Sequence, residues 1–425
     1  MVTSPSRRGF LGGVAAGLAT SALQAPARAA AGDERIVVAV MGLSRGRGLA
    51  TQFAAAPNVL VKAVCDVDRD RLAACGTELT AAGRPAPGLV SDYRRLLDDP
   101  EIDALVCAAP NHWHATATLQ ALAAGKHVYV EKPCCHVPRE GERMVEAARS
   151  SGLCVQVGTQ RRSSPAIIEA MRLLHAGEIG RVYAARAFYA SARPSIGVGK
   201  PAAVPERLDW DLWQGPAPRR PYLDNRVHYN WHWFWHWGNG ELGNNGVHTL
   251  DLCRWGLGVD FPVRVTSAGG RYRFVDDQET PDTHEVAYEF ADGKLITWTG
   301  HSCNRHDADD FITFYGDEGA LRLGDEGAFT LFDGAGKERL SSPGTRGDVE
   351  HIANFLAAIR ARAPVTLQAG IADAYASTHL ALVGNIAQRS RRALVCDPQT
   401  GRLVDDDEAA ALWDRDYEPG WGPQA

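Results

Sequence analysis

Five short apolar runs, separated by helical periods, constrain this chain more than any other feature. "IVVAVM" (Ile36 to Met41) ends at Gly42, and "VLVKAVC" (Val59 to Cys65) ends at Asp66. "DALVCAA" ends at Pro110-Asn111, "HVYV" ends at Glu131-Lys132, and "LCVQVG" closes the series at Gly158. The gaps carry helical spacing, as in "HATATLQALAAG", which stops at Gly125 as a helix should. Strands that are apolar on both faces and alternate with helices form a parallel sheet between two helical layers. Ligands of such sheets bind beyond the carboxyl ends of the strands. After residue 158 the pattern changes. Helical stretches near 167–176 and 244–256 are followed by consecutive strands with turn signals, such as "THEVAYEF-ADGK-LITWTGH", in which Ala291-Asp292-Gly293 reads as a hairpin turn. That predicts a mostly antiparallel sheet with one face to be covered. Two late helices, 349–362 and 371–389, are available to pack back on either domain.

At 425 residues the chain is long enough for two domains with sizeable cores. Its net charge of -6 gives no reason to expect a nucleic-acid partner. "SRRGFL" (Ser6 to Leu11) places two arginines before a weakly apolar Gly/Ala run, and "ARA" offers small residues at a cleavage site near residue 29. This is the form of a twin-arginine export signal over 1–30, so a periplasmic or otherwise exported protein that engages the twin-arginine machinery is expected. A retained membrane anchor is the alternative for that run. The nine cysteines include no CxxC pair, which argues against a disulfide framework and a structural zinc site.

The turn after the first strand, "VAVMGLSRGRGLA", is rich in glycine. Strict G-x-G-x-x-G would need glycine at 44 and 47, where Ser44 and Arg47 stand, with Gly46 and Gly48 offset. The context supplies what the motif lacks: a strand before, a helix after, and Asp66 at the next strand end, placed for an adenosine ribose diol. Helix-start amides around Gly42, Ser44, Arg45 and Gly46 suit a pyrophosphate. A carboxylate at Asp66 repels a 2'-phosphate, so NAD is expected over NADP, with Arg45 and Arg47 blunting the preference.

"APNHWHA" (Ala109 to Ala115), "EKP" (Glu131 to Pro133) and "GVH" followed by "D" (Gly246 to Asp251) occur in this order after that turn. The combination resembles the Gfo/Idh/MocA family of sugar and polyol oxidoreductases, and "HYNWHWFW…GNGELGNNGVHTLDLCRWGLG" resembles its exported, twin-arginine subgroup. The resemblance implies an α/β Rossmann domain, read here over 34–158, followed by an α+β substrate domain with a large, mostly antiparallel open sheet over 159–425, the C-terminal helices packing back. It places Lys132 at the reacting carbon of a sugar, beside the nicotinamide, and Pro110, Asn111, His114 and Glu131 beside the cofactor. A solvated lysine ending a strand is the plain alternative. The family pattern has an aspartate four residues before a histidine. Here the pair is Asn244 and His248, one helical turn apart. His248 is the candidate general base. Asn244 cannot take up a proton, which throws more of the work on Lys132 and His248. Gln160, after the next strand, is a candidate for the nicotinamide or sugar side, and Arg193 a weaker one for the substrate. Asp251, three residues after His248, is expected either to fix the helix or to support the site from behind the residues that touch the ligand.

"HYNWHWFWHWGNG" (His228 to Gly240) is the least ordinary stretch. Extended, it would put Trp231, Trp233, Trp235 and Trp237 on one face and His232, Phe234 and His236 on the other. Trp233, Trp235 and His232 are therefore candidates for a carbohydrate platform, against an aromatic core or subunit contact. Helical, it would align His228, His232 and His236, but no carboxylate or cysteine completes a ligand set and no metal is expected. The expected activity is hydride exchange at a carbinol carbon of a sugar or glycoside. Outside the cytoplasm soluble NAD is scarce, so a tightly bound dinucleotide is expected, in a homo-oligomer. Redox-neutral glycoside cleavage is one alternative. An exported sugar-binding protein on a retired dehydrogenase scaffold is another, and the two separate on whether mixing with glycosides gives a transient at the reduced-nicotinamide band.

Overall fold

The computed structural model describes residues 34–305 and 310–422. The twin-arginine segment lies outside them. The first domain runs β1 (Ile36–Met41), α1 (Arg45–Ala55), β2 (Val59–Cys65), α2 (Arg69–Ala81), β3 (Gly88–Val90), α3 (Arg94–Leu97), β4 (Ala104–Cys107), α4 (Asn111–Ala123), β5 (His127–Val130), α5 (Pro138–Ser151) and β6 (Val155–Val157). The six strands are parallel, in the order β3-β2-β1-β4-β5-β6. The apolar runs are explained by burial on both sides. In β1, Ala39 and Met41 join one core cluster while Ile36, Val38 and Val40 join the other. Gly125 ends α4 and Gly152 ends α5, both with positive φ (74° and 66°). The strand order reverses between β1 and β4, which opens a crevice at their carboxyl ends.

The second domain continues with α6 (Pro165–His175), β7 (Val182–Ala190), α7 (Trp210–Gln214), α8 (Val247–Leu257), β8 (Arg264–Gly270), β9 (Thr283–Glu289), β10 (Leu295–His301), β11 (Ile312–Gly316), β12 (Gly319–Leu323), β13 (Phe329–Asp333), β14 (Glu338–Ser342), α9 (Asp348–Ala361), α10 (Ile371–Ser390) and β15 (Leu394–Val395). Its nine-stranded sheet has the order β14-β13-β12-β11-β7-β10-β9-β8-β15. All neighbours are antiparallel except β7 and β10. The expected hairpin is present: Phe290 donates to the Lys294 carbonyl (3.0 Å), and Gly293 takes φ 75°. One face of the sheet is covered. Ile296 and Trp298 of β10 are buried with Ile167, Leu250 and Val383 of α6, α8 and α10, while Thr297 and Thr299 turn away.

The late helices return to the first domain. Ile352, Phe355 and Leu356 of α9 pack on Phe53 and Tyr129, with the Phe53 and Phe355 rings 6.3 Å apart edge to face. Helix α10 contributes Ile371, Tyr375 and Leu382 to the first domain's core and Leu380, Val383 and Ile386 to the second. Gly141 of α5 admits the Tyr375 ring where a Cβ would lie 2.1 Å from it. The stretch Asn111–His114 is the first turn of α4. Pro110 fixes an extended N-cap, and the helix starts at the next residue.

Candidate active site

A cleft of about 430 Å³ opens at the carboxyl ends of β1, β2, β4 and β5, walled on the far side by residues of the second domain. Gly42 (φ 86°) stands where a Cβ would lie 2.5 Å from the Ala109 nitrogen, so only glycine lets the ends of β1 and β4 approach. Gly46 is tight rather than obligatory, its Cβ position 3.2 Å from Val40 Cγ1. Asp66 accepts from the Leu43 amide (2.7 Å) and the Asp68 amide (2.9 Å). Burial raises its carboxyl above the usual range, and those two amides oppose the shift. At the start of α1 the amides of Ser44 and Arg45 donate no hydrogen bond among the described residues, while Gly46 donates to the Gly42 carbonyl (3.2 Å). A glycine cradle, unspent helix-start amides and a carboxylate with lone pairs to spare fit a dinucleotide. Arg45 spans the crevice from Glu131 (3.3 Å) to Asp348 (2.8 Å).

Lys132 leaves β5 into the same cleft. Its Nζ donates to the main-chain carbonyl of Asn244 (2.7 Å) and to Asn244 Oδ1 (3.3 Å). Burial holds its ammonium below the ordinary lysine range, against the pull of Glu131 and Glu241. Asn244 lies in a π-helical turn, Leu242–Gly246, that leads into α8. Its Nδ2 donates to Glu241 Oε1 (3.3 Å), and Glu241 is itself held by Arg193 (2.6 Å). His248, one turn on, is 8% exposed, and neither ring nitrogen makes a hydrogen bond among the described residues. Burial, then the positive charges of Arg161 and Lys132, push its pKa well below normal, so the ring is neutral. The structure thus brings Lys132, Asn244 and His248 into one cleft with Asp66, Gly42, Ser44 and Arg45.

Other expected residues lie in varied places. Pro110, His114, Glu131 and Gln160 line the cleft. His114 is buried beneath it, with Nδ1 and Nε2 each 2.7 Å from a carbonyl oxygen, of Pro133 and Ala109, so it ties the ends of β4 and β5 together. Asn111 lines the cleft but spends its amide on Asn239 Oδ1 (2.9 Å). Arg193 does not line it; it stacks on Tyr229 and Trp233, donates to the Tyr229 hydroxyl (2.7 Å), and is linked to Asn244 through Glu241. The platform expectation is corrected for two tryptophans. The ribbon is not extended but turns as a 3₁₀ helix over Asn230–Trp233, so alternate residues do not share a face. Trp233 is 2% exposed and packed away from the cleft, and Trp235 sits on a separate groove under Arg389. His232 and Trp231 do face the cleft. His228, His232 and His236 do not align. His228 bonds Asp68 (2.8 Å) and His236 the Pro218 carbonyl (2.8 Å). Among the described residues no three His, Cys, Asp or Glu side chains converge as a metal site. Asp251 fixes its helix, taking both oxygens to Arg162 Nε (2.9 Å each) and accepting from Ser377 (2.6 Å).

Several lining residues escaped the sequence reading: Arg71, Trp213, Tyr229, Arg346 and Asp348, while His228 was weighed there only as a metal ligand. Arg346 and Asp348 precede and open α9, and nothing local marks them. The one usable signal was Gly347 (φ 77°), whose Cβ would lie 2.6 Å from the Ser164 nitrogen and so pins that stretch against the first helix of the second half.

Comparison with known proteins adds a context. A family model described as "Oxidoreductase family, NAD-binding Rossmann fold" matches residues 36–159, and one described as "Oxidoreductase family, C-terminal alpha/beta domain" matches 195–422. Levoglucosan dehydrogenase of Pseudarthrobacter phenanthrenivorans is 26% identical over 303 residues, covering 65% of this chain and 70% of that protein. Inositol 2-dehydrogenase 2 of Saccharopolyspora erythraea is 29% identical over 258 residues, covering 60% and 62%. Among solved structures, levoglucosan dehydrogenase in complex with NADH and levoglucosan superposes with a TM-score of 0.65 at 19% identity, covering 84% of this chain and 98% of that one. Aldose-aldose oxidoreductase from Caulobacter crescentus, complexed with glycerol, gives 0.63 at 21% identity, covering 85% and 100%. At these identities the two structures share the fold.

Proposed function

The chain belongs to the Gfo/Idh/MocA oxidoreductase family, and from that premise we propose that it oxidises and reduces a carbinol carbon of a sugar or cyclic polyol, with NAD retained between turnovers. The observation that carries this reading is the meeting of Lys132 Nζ, held on the Asn244 carbonyl at 2.7 Å, with the neutral, unpartnered imidazole of His248 in one cleft. Bound nicotinamide supplies a hydride acceptor and donor. Gly42 and the amides of Ser44 and Arg45 hold its pyrophosphate, and Asp66 its adenosine ribose. Lys132 donates a hydrogen bond to the reacting hydroxyl oxygen and stabilises negative charge as the proton leaves. His248 Nε2 accepts that proton. Asn244 keeps the ammonium aimed, and Arg45, clasped to Glu131 and Asp348, slows escape of the dinucleotide. The relatives named above, which act on levoglucosan and inositol by their names, support the carbohydrate class.

Export by the twin-arginine route belongs to the same proposal and rests on Arg7 and Arg8. Native mass spectrometry of the purified full chain tests the core of it. A co-purifying NAD or NADH is expected, with an absorbance change at the reduced-nicotinamide band on adding sugars, glycosides and inositols. Absence of both would sink the reading. Release of aglycone without net reduction would redirect it to glycoside cleavage.

A further inference from the structure

His232 is more than a lining side chain. Its Nδ1 lies 2.6 Å from the carbonyl oxygen of Tyr229. A carbonyl only accepts, so Nδ1 carries the proton and donates. A neutral ring then leaves Nε2 as a lone-pair acceptor. Burial pulls the ring's pKa down to about 3, and the ring stays neutral at any working pH. The ring is clamped: its face stacks on Trp231 with centroids 3.6 Å apart and planes 20° off parallel. Gly238 lets the chain fold over it, since a Cβ there would lie 2.6 Å from the His232 carbonyl oxygen. His232 lines the same cleft as Lys132, Asn244 and His248, and the Lys132 ammonium is close enough to bias it further against a proton.

The neighbouring groups are already committed. Lys132 only donates, and both oxygens of Asn244 accept from Lys132. His232 Nε2 makes no hydrogen bond among the described residues. A fixed acceptor with no partner among the described residues therefore shares the cleft with the amine that meets the reacting hydroxyl. We propose that His232 Nε2 accepts a hydrogen bond from a second hydroxyl, on the carbon next to the reacting one, so that the substrate is a vicinal diol on a ring. This rests on the oxidoreductase reading and narrows it. A ligand that lacks the neighbouring hydroxyl leaves Nε2 without a partner against a methylene, a loss of about 10-fold in affinity.

The test uses the full chain, labelled with ¹⁵N-histidine, and two minimal probes, trans-1,2-cyclohexanediol and cyclohexanol. Long-range ¹H–¹⁵N correlation, assigned with His232→Gln, is expected to show the proton on Nδ1 and a bare Nε2 that shifts with the diol. The diol should bind about 10-fold tighter than cyclohexanol, and His232→Ala should abolish that ratio. A proton on Nε2, a cationic ring at neutral pH, an Nε2 signal indifferent to the diol up to near-molar concentration, or the same ratio in the variant overturns the proposal. The first three are read on the unaltered protein, so a poorly folding variant does not rescue it. Diol discrimination by a chain that binds no nicotinamide dinucleotide would keep this site and sink the oxidoreductase reading; dinucleotide binding without discrimination would do the reverse.

Discussion

Lys132 and Asn244 meet across the two halves of the molecule: the ammonium from the end of β5 donates to the main-chain carbonyl of the π turn at 2.7 Å and to its side-chain oxygen at 3.3 Å. Among the described residues no carboxylate bonds this amine. Its charge is balanced only at longer range, by Glu131 and Glu241. That arrangement keeps the ammonium easy to deprotonate.

Asn244→Asp would put a carboxylate in hydrogen-bond reach of the amine and one turn from His248. An opposite charge at that range favours the protonated forms by about 1–3 pKa units. The acid limb of the kcat/KM profile, which reports loss of the neutral base, is therefore expected to move to higher pH. The change also removes the Nδ2 donor to Glu241, at a stability cost of about 1 kcal/mol. A profile measured from pH 5 to 10 that superposes on the wild type would refute this.

Asp66→Ala removes the acceptor proposed for the adenosine ribose and frees the Leu43 amide. Loss of hydrogen bonds to a charged group is worth about 1.5–3 kcal/mol, so the Kd for NADH should rise about 10- to 100-fold. NADPH, relieved of charge repulsion, should weaken less or tighten. Fluorescence titration with both dinucleotides reads the ratio directly.

Asp251 and Arg162 form a buried pair, 1% and 7% exposed. Asp251→Ala would leave the guanidinium buried with Asp373 as its remaining carboxylate partner. Breaking such a pair from one side costs about 3–5 kcal/mol. Urea unfolding should show it as a lower midpoint at unchanged slope. Asp251→Leu with Arg162→Met, which removes both charges, should recover much of the loss.

Acid should destabilise the fold well before the carboxylates titrate. Burial holds His284, His351 and His379 down at about 4. As pH falls below 6.5 the unfolded chain takes up these protons while the native state refuses them. Stability therefore declines between about pH 6.5 and 4, by up to about 1.4 kcal/mol per group per pH unit, and these groups add no further loss below that. His379, ringed by Phe261, Tyr375 and Trp413, is a clean test. His379→Leu should make the slope shallower in denaturation series at pH 7.5, 6 and 5. An unchanged slope would exclude this origin.

The first domain's sheet was legible because each central strand is apolar on both faces, a pattern that few other structures produce. Strand β3 was not, since Gly88 and Leu89 are exposed at the sheet edge and carry no such pattern. In the second domain the hairpin around Gly293 was readable, but β7 was not: four of the nine residues of "VYAARAFYA" are alanine, and its place at the centre of the sheet is set by partners more than a hundred residues away. The candidate site divides the same way. Lys132 stands at the end of a run that announces its strand. Arg346 and Asp348 reach the cleft only because α9 folds back on the first domain. The aromatic ribbon misled because a period of two presumes an extended chain, and the local 3₁₀ turn rotates Trp233 out of register with Trp231, which faces the cleft.

Helix α10 has one further consequence. Its Tyr375 is keyed into α5 of the first domain while Val383 and Ile386 are keyed under the second sheet, on a single unbroken rod from Ile371 to Ser390. Swinging the halves apart like a jaw would have to snap that rod or strip one end of it. Traffic through the cleft must therefore be governed by side chains at its mouth, with the body of the enzyme acting as a fixed vise.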